Sequence, residues 1–357
     1  MTKRAPPKGS SRPAAPVIRS TVEFARYVGL ARTTVSRVLN GQPGLKSKTI
    51  ARVQRAMEET GFTPNAYALH LKGKRTATVG ICMESLLTAT AVLKAAGLQR
   101  RLRERGFASL IEILEPGGSQ RVIRHFLSLR VDAVIFLGHF VEEEITQRLR
   151  ELATHATPHL VIDQLGIAGA NTVALDRARG MRELMEHLLK LGHRSFGLLG
   201  ITGTARSVRD RVAGIETALS ARGLTFGSAT RSLDPLHARE NDFEYGRALA
   251  SSFVREKDLP SAFVALNDDI AIGALHGLQD AGVKIPQEAS VAGFNNQDIC
   301  LMPAPQLTTV DQQIQATVDG AAGILLEQIG RALPSRPHLL MIEPLLVVRD
   351  STGPAPR

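Results

Sequence analysis

The sequence predicts a small all-α head joined to an α/β body of two lobes, each built on a doubly wound parallel sheet. Three observations carry this. Positive charge is concentrated at one end: residues 1–76 hold 15 Lys and Arg against 3 Asp and Glu, and the rest holds 29 against 31. Three short helical patterns fill that basic end. From Thr78 onward, short apolar runs alternate with amphipathic helices, the pattern of a parallel sheet covered on both faces. Roughly 275 residues of such alternation exceed one comfortable core, which is why two lobes are expected.

Residues 1–17 are rich in Pro, Ser, Lys and Arg and are expected to form a disordered tail. Ser20 with Glu23 three residues later is a capping box that opens a helix running to about Val28, and Gly29 stops it. A second helix is expected over about Arg32–Asn40, broken by Gly41-Gln42-Pro43-Gly44. A third, about Ser47–Thr60, carries Ile50, Val53 and Met57 at helical spacing and ends at Gly61. A basic connector follows from Pro64 to Arg75.

In the body, strands are expected at Thr78–Met83, Ser109–Leu114, Ala133–Leu137, His159–Ile162, Thr172–Leu175, Ser195–Leu199, Ala262–Leu266 and Ser290–Phe294. Helices lie between most of them, for example Met181–Leu191 and Ile270–Ala281. Ligands of such folds bind at the carboxyl ends of strands, which here means a cleft between lobes.

Composition excludes several classes. Apolar residues are 43% and charged residues 22% of the 357, ordinary for a globular chain. Cys82 and Cys300 are too few for a disulfide framework or a zinc site and are read as buried free thiols. No run approaches the ~20 apolar residues of a membrane span, and no apolar segment follows the basic N-terminus as in a signal peptide. The expectation is a soluble cytoplasmic protein without metal or cofactor.

Ala25, Gly29 and Val35 have the spacing of a helix-turn-helix: a small residue where two helices cross, a glycine free to turn, and an apolar anchor on the second helix. That helix then exposes Arg32, Thr33, Ser36 and Arg37 while Val35, Val38 and Leu39 pack inward. Its exposed face suits the major groove of DNA. By spacing alone, a small helical bundle with a solvated charged face remains an alternative.

Further motifs extend the pattern along the chain. They are Thr34-Val35-Ser36-Arg37-Val38-Leu39-Asn40-Gly41, Gly61-Phe62-Thr63-Pro64-Asn65-Ala66 and Leu71-Lys72 in the head and connector. In the body they are Leu191-Gly192-His193-Arg194, Arg209-x-Arg211-x-x-Gly214, Asn267-Asp268, Val291-x-Gly293-Phe294 and Pro305-x-Leu307-Thr308-Thr309-Val310. Through them the chain resembles the lactose-repressor (LacI/GalR) family of bacterial transcription regulators from about Ser20 to Arg349.

The resemblance implies a helix-turn-helix DNA-binding domain over 18–62, a hinge helix and linker over 63–76, and a periplasmic-binding-protein-like effector and dimerisation domain over 77–350. The chain is expected to cross between lobes near 163–175 and 295–312, and 351–357 to be a tail. By resemblance, Arg32, Thr33 and Arg37 read base edges, and Thr34, Ser36 and Asn40 bond phosphates. Ala68, Leu71 and Lys72 belong to the minor-groove hinge, where Leu71 wedges between base pairs; a plain linker leucine is the alternative. Ala31 replaces the usual Ser or Thr cap of the reading helix. Lys46 replaces a frequent Ser before the third helix, where Ser47 could cap one residue later.

In the body, the resemblance assigns effector contacts to Arg211, Asn267, Asn295, Phe243 and Asp163. Arg209 and Arg211 could instead pair with Asp210 or Glu216. Two departures stand out. Leu87-Thr88-Ala89-Thr90-Ala91 replaces an aromatic Ser-Asn-Pro-Phe-Phe stretch, and Gly293-Phe294-Asn295-Asn296 replaces Gly-Phe-Asp-Asp. An Asn donates as well as accepts and carries no charge. With Arg211 nearby, a sugar acid is expected in preference to a neutral hexose.

The function implied is a ligand-controlled homodimeric repressor on a pseudo-palindromic operator, with no catalytic role. Control by a co-repressor or a partner protein is the alternative. A solute-binding protein is disfavoured by the helix-turn-helix. An enzyme is disfavoured because the Gly197–Gly203 stretch lacks the phosphate-loop pattern. The short Pro-rich end offers no heptads for a tetramer.

Overall fold

The computed structural model describes residues 18–39, 42–63, 75–86, 88–115, 117–233, 241–256, 259–331 and 336–356. Met1–Thr78 and Val79–Arg357 form two separate compact units.

In the first unit, α1 (Thr21–Val28), α2 (Arg32–Leu39) and α3 (Ser47–Thr60) surround buried Phe24, Ala25, Val28, Val35, Val53 and Phe62. The Phe24 and Phe62 rings stack at 4.2 Å. Ser20 caps α1 by accepting from the Glu23 N–H. The Glu23 carboxylate reaches back to the Arg19 N–H at 2.9 Å, so the box closes one residue upstream of the cap. Gly29 ends α1 at φ +66°, a left-handed geometry that glycine adopts without strain. The expected Ser47 cap does not form. Ser47 is the first helical residue, and Lys46 in the cap position makes no side-chain cap bond. The tail, Asn40, and the hinge residues Ala68, Leu71 and Lys72 lie outside the described residues.

The second unit has two parallel sheets. The first runs in the order β11-β5-β4-β3-β1-β2. Its strands are β1 (Thr78–Met83), β2 (Ala108–Ile113), β3 (Ala133–Leu137), β4 (His159–Ile162), β5 (Thr172–Leu175) and β11 (Leu339–Ile342). The second runs β7-β6-β8-β9, from β6 (Phe196–Leu199), β7 (Thr230–Ser232), β8 (Ala262–Ala265) and β9 (Ser290–Ala292). A short antiparallel ladder joins β10 (Thr309–Asp311) and β12 (Leu345–Val347).

The helices α4 (Ala89–Glu104), α5 (Ser119–Ser128), α6 (Glu142–Thr154), α7 (Arg177–Lys190), α8 (Arg206–Ser220), α9 (Phe226–Ala229), α10 (Asp242–Arg255), α11 (Asp268–Asp280) and α12 (Ile314–Gln328) cover the sheets. Strand side chains alternate between faces. Ile81, Ile135 and Ile162 enter one core with Leu98 and Val318, and Cys82, Phe136 and Val161 enter another with Ile123, Phe126 and Leu149. Burial on both faces explains why these strands read as continuous apolar runs. Cys82 and Cys300 are free and buried.

The chain passes between lobes three times, one more than the sequence indicates. β5 leads into α7, which packs on α8 of the second lobe; β10 leads into α12, which packs on α4, β4 and β5; and β11 returns to β12, paired with β10. Residues 351–355 are no loose tail. Ser351 is fully buried, its hydroxyl donating to Val291 O at 2.6 Å and accepting from the Thr308 N–H. His193 holds Gly353 O at 3.0 Å, and the Ala355 N–H donates to Leu191 O.

Helices α10 and α11 cross at backbone contact. A Cβ on Gly273 would stand 1.9 Å from Phe243 O, and one on Gly246 would stand 2.0 Å from Ile270 O. Gly273→Ala forces two backbones apart and is expected to cost at least about 1–3 kcal/mol. Thermal unfolding checks this, and an unchanged midpoint would refute the close-packed crossing.

Candidate functional site

Two places concentrate polar chemistry: the exposed face of α2 and a cleft in the second unit. Along α2, Val35 is buried, Val38 and Leu39 are half-buried, and Arg32, Thr33 and Arg37 are exposed. Thr34 and Ser36 are half-buried at the shoulders of that face. Period 3.6 produces this division: apolar Val35, Val38 and Leu39 share one side, and the polar set takes the other. Arg37 folds back, its Nη2 donating to Pro43 O at 3.2 Å. The bond leaves Arg37 exposed at the surface.

The cleft, about 280 Å³, is lined by residues that follow strand ends of both sheets. Gly138 and His139 follow β3, Asp163 follows β4, and Asn267 follows β8. That is where an open parallel sheet leaves backbone and side chains free of the ladder. Arg211, Asn267, Asn295 and Asp163 all line it. Phe243 lines an adjoining cavity and packs edge-on against His276 at 5.6 Å.

The roles of these side chains differ from simple expectation. Both Asp163 oxygens accept from the Lys94 ammonium, at 2.8 and 2.6 Å. Arg177 adds an ion pair at 3.2 Å to the same carboxylate and donates to the Asp163 backbone carbonyl. Asp163 is therefore an anchor for two cations. Burial works to raise its carboxyl, but Lys94 and Arg177 outweigh it and hold the group down to about 2. Burial lowers the Lys94 ammonium from its ordinary range, with Asp163 opposing.

Asn267 caps α11 by accepting from the Ile270 N–H, and its amide donates to Asp242 at 2.6 Å. It thereby holds Asp242 at the cleft. Asn295, at φ +135°, accepts from the Gln312 amide. Gln312 in turn accepts from Lys94 at 3.1 Å, so the network runs from the first lobe into the crossing segments.

Arg211 is 5% exposed and lies over the Phe294 ring at 4.3 Å. One Nη donates to Ser207 O at 2.9 Å, and the buried Nε–H has no partner. Among the described residues neither Asp210 nor Glu216 pairs with it; Asp210 faces Arg206 at 3.9 Å. Burial, with Arg177 nearby, pushes the guanidinium down to about 9. The same burial and Arg177 push His139 down to about 4.

Sequence reasoning missed Lys94, Arg177, Gln312, His139, Asp242 and Asp269 at this cleft. Arg177 and His139 could have been found, since each stands just past a strand. Lys94 also left a signal: it interrupts an apolar face between Ala91 and Ala95. Gln312 left none.

Comparison with known proteins follows the same division. Residues 22–65 match the profile of bacterial regulatory proteins of the lacI family, and residues 185–352 match the periplasmic binding protein-like domain. The chain is 28% identical over 338 residues to the HTH-type transcriptional regulator DegA of Bacillus subtilis (strain 168), covering 93% of this chain and 97% of that one. It is 29% identical over 310 residues to catabolite control protein A of Staphylococcus epidermidis, covering 85% and 90%. A solved lac repressor dimer, bound to operator and the anti-inducer ONPF, has the same fold: TM-score 0.80, 24% identity, covering 94% of this chain and 99% of that one. No helix among the described residues is long and apolar enough to cross a membrane.

Proposed function

The chain belongs to the lacI family of bacterial regulatory proteins, and from that membership we propose that it is a homodimeric repressor whose hold on a pseudo-palindromic operator is set by a small molecule in the cleft. It is a sequence-specific DNA-binding transcriptional regulator; it works by binding and not by catalysis. The observation that carries the DNA role is the exposed Arg32, Thr33 and Arg37 on one face of α2. These read base edges, with Thr34, Ser36 and Asn40 on phosphates and Ala68, Leu71 and Lys72 in the minor groove. A regulator of this kind acts in the cytoplasm, on the nucleoid.

The effector contacts are Arg211 and Asn295, with Asn267 and Asp163 holding Asp242 and the cations in place, and Phe243 reaching from the adjoining cavity. A sugar acid, or a sugar-like compound, is the ligand class. Exposed Val92 and Leu93 on α4, with Ile111 and Ile113 on edge strand β2, offer apolar surface to a second subunit. A ligand shifts operator affinity only through its different affinities for two arrangements of the subunits.

Operator binding measured against salt tests the first half. The log–log slope is expected to be steep, about −0.9 for each phosphate neutralised, and a flat response refutes it. Adding candidate ligands tests the second. Release of DNA marks an inducer, and tightening marks a co-repressor.

A further inference from the structure

A buried ammonium persists only where its charge is answered. Lys94 is 1% exposed on α4, and its three protons are spent: two on Asp163 and one on Gln312. A carboxylate at the end of β4 would otherwise be the natural acceptor for a pair of ligand hydroxyls. With two Lys94 bonds and the Arg177 ion pair upon it, most of that capacity is used.

What remains unanswered is positive. At this end of the cleft Lys94 and Arg177 share the carboxylate of Asp163, and Arg211 feels Asp210 and Asp163 only through space. Arg211, 5% exposed, lines the cleft, lies over the buried Phe294 ring, and carries a buried Nε–H without a partner. The other acids lining the cleft are already engaged: Glu84 with the His139 N–H, Asp242 with Asn267, and Asp269 with Gln297. Each of these keeps lone pairs that accept hydroxyl hydrogens and repel a second anionic group.

Resting on the reading of the cleft as an effector site, we infer that Lys94 is a specificity-determining residue: by consuming Asp163 it sets the cleft to select a small hydroxylated monocarboxylate over the corresponding neutral sugar. The ligand carboxylate supplies an acceptor for the Arg211 Nε–H and counters the cations gathered around Asp163, away from Asp242 and Asp269. The acids beside Asn267 and Gln297 take the hydroxyls.

The test uses the full-length protein, with hexonates and hexuronates against the matching neutral hexoses at equal ionic strength. Thermal shift screens the compounds and calorimetry gives Kd. The wild type is expected to favour an acid over its neutral counterpart by at least about tenfold, the scale of one desolvated charge contact. Lys94→Met frees a carboxylate oxygen and is expected to erase most of that preference. Lys94→Met combined with Asp163→Asn removes both charges and is expected to restore it, which loss of structure alone would not do. Lys94→Gln serves where Lys94→Met does not fold. A wild type that binds neutral hexoses, with binding lost in Arg211→Met, overturns the inference and leaves the effector site standing. Acid binding that survives Arg211→Met removes the site itself. No response to any acid, or an unchanged preference in both Lys94 variants, also overturns the inference.

Discussion

Asp163→Asn is expected to destabilise the second unit by about 3–5 kcal/mol, the usual cost of removing one partner from a buried ion pair. Asp163 is 9% exposed and holds Lys94 and Arg177, so its loss leaves two buried cations beside Arg211 without a counter-charge. The penalty is mainly that uncompensated charge, not the absolute worth of the pair. Removing Lys94 as well is therefore expected to recover much of the loss, and a double-mutant cycle in urea unfolding reads the coupling directly. If single and double variants lose the same stability, the charge argument fails. The pair also fixes a pH window. Asp163 is held at about 2, below the ordinary carboxyl range. Its contribution is thus complete above about pH 4 and is lost as pH falls through about 2.

Operator binding by Arg37→Ala is expected to weaken by about 1–3 kcal/mol per half-site, because a guanidinium fork matches the two acceptors of guanine. A dimer loses the contact twice, giving about 2–6 kcal/mol in all. The loss is to be strongest on the preferred operator and small on random DNA, so the specificity ratio is the measurement that matters. A uniform loss across sequences would place Arg37 on phosphate. In the free chain one Arg37 Nη donates to Pro43 O at 3.2 Å, which leaves its other N–H groups for a base. Pro43→Ala is not expected to mimic the variant: the acceptor is backbone.

Much of this protein could be read from its residues. The core strands β1, β3, β4 and β5 lie where continuous apolar runs placed them, because burial on both faces leaves few positions for a polar side chain, His159 and Thr172 at strand starts being the buried exceptions. The head was legible through Ser20, Gly29 and the apolar anchors of α2, all local signals. The strands that escaped were short or marginal: Thr230–Ser232, Thr309–Asp311 and Leu345–Val347 have three residues each, and β11 leaves Leu339 exposed. Three residues carry too little periodicity to separate a strand from a loop, and pairing alone makes them strands.

The cleft divides the same way. Arg211, Asn267, Asn295 and Asp163 were found because each stands in a recognisable motif or just past a strand. Their partners come from far along the chain: Lys94 lies 69 residues from Asp163, and Gln312 lies 218 residues from Lys94. By itself the sequence determined the basic helical head, the two-lobed α/β body and the strand ends at which ligands gather, since these follow from local periodicity and charge. Only the tertiary structure decided that Asp163 is spent on Lys94 and Arg177 while Arg211 keeps an unanswered N–H. Charge balance in a desolvated cleft depends on which side chains meet there, and no spacing along one segment records that.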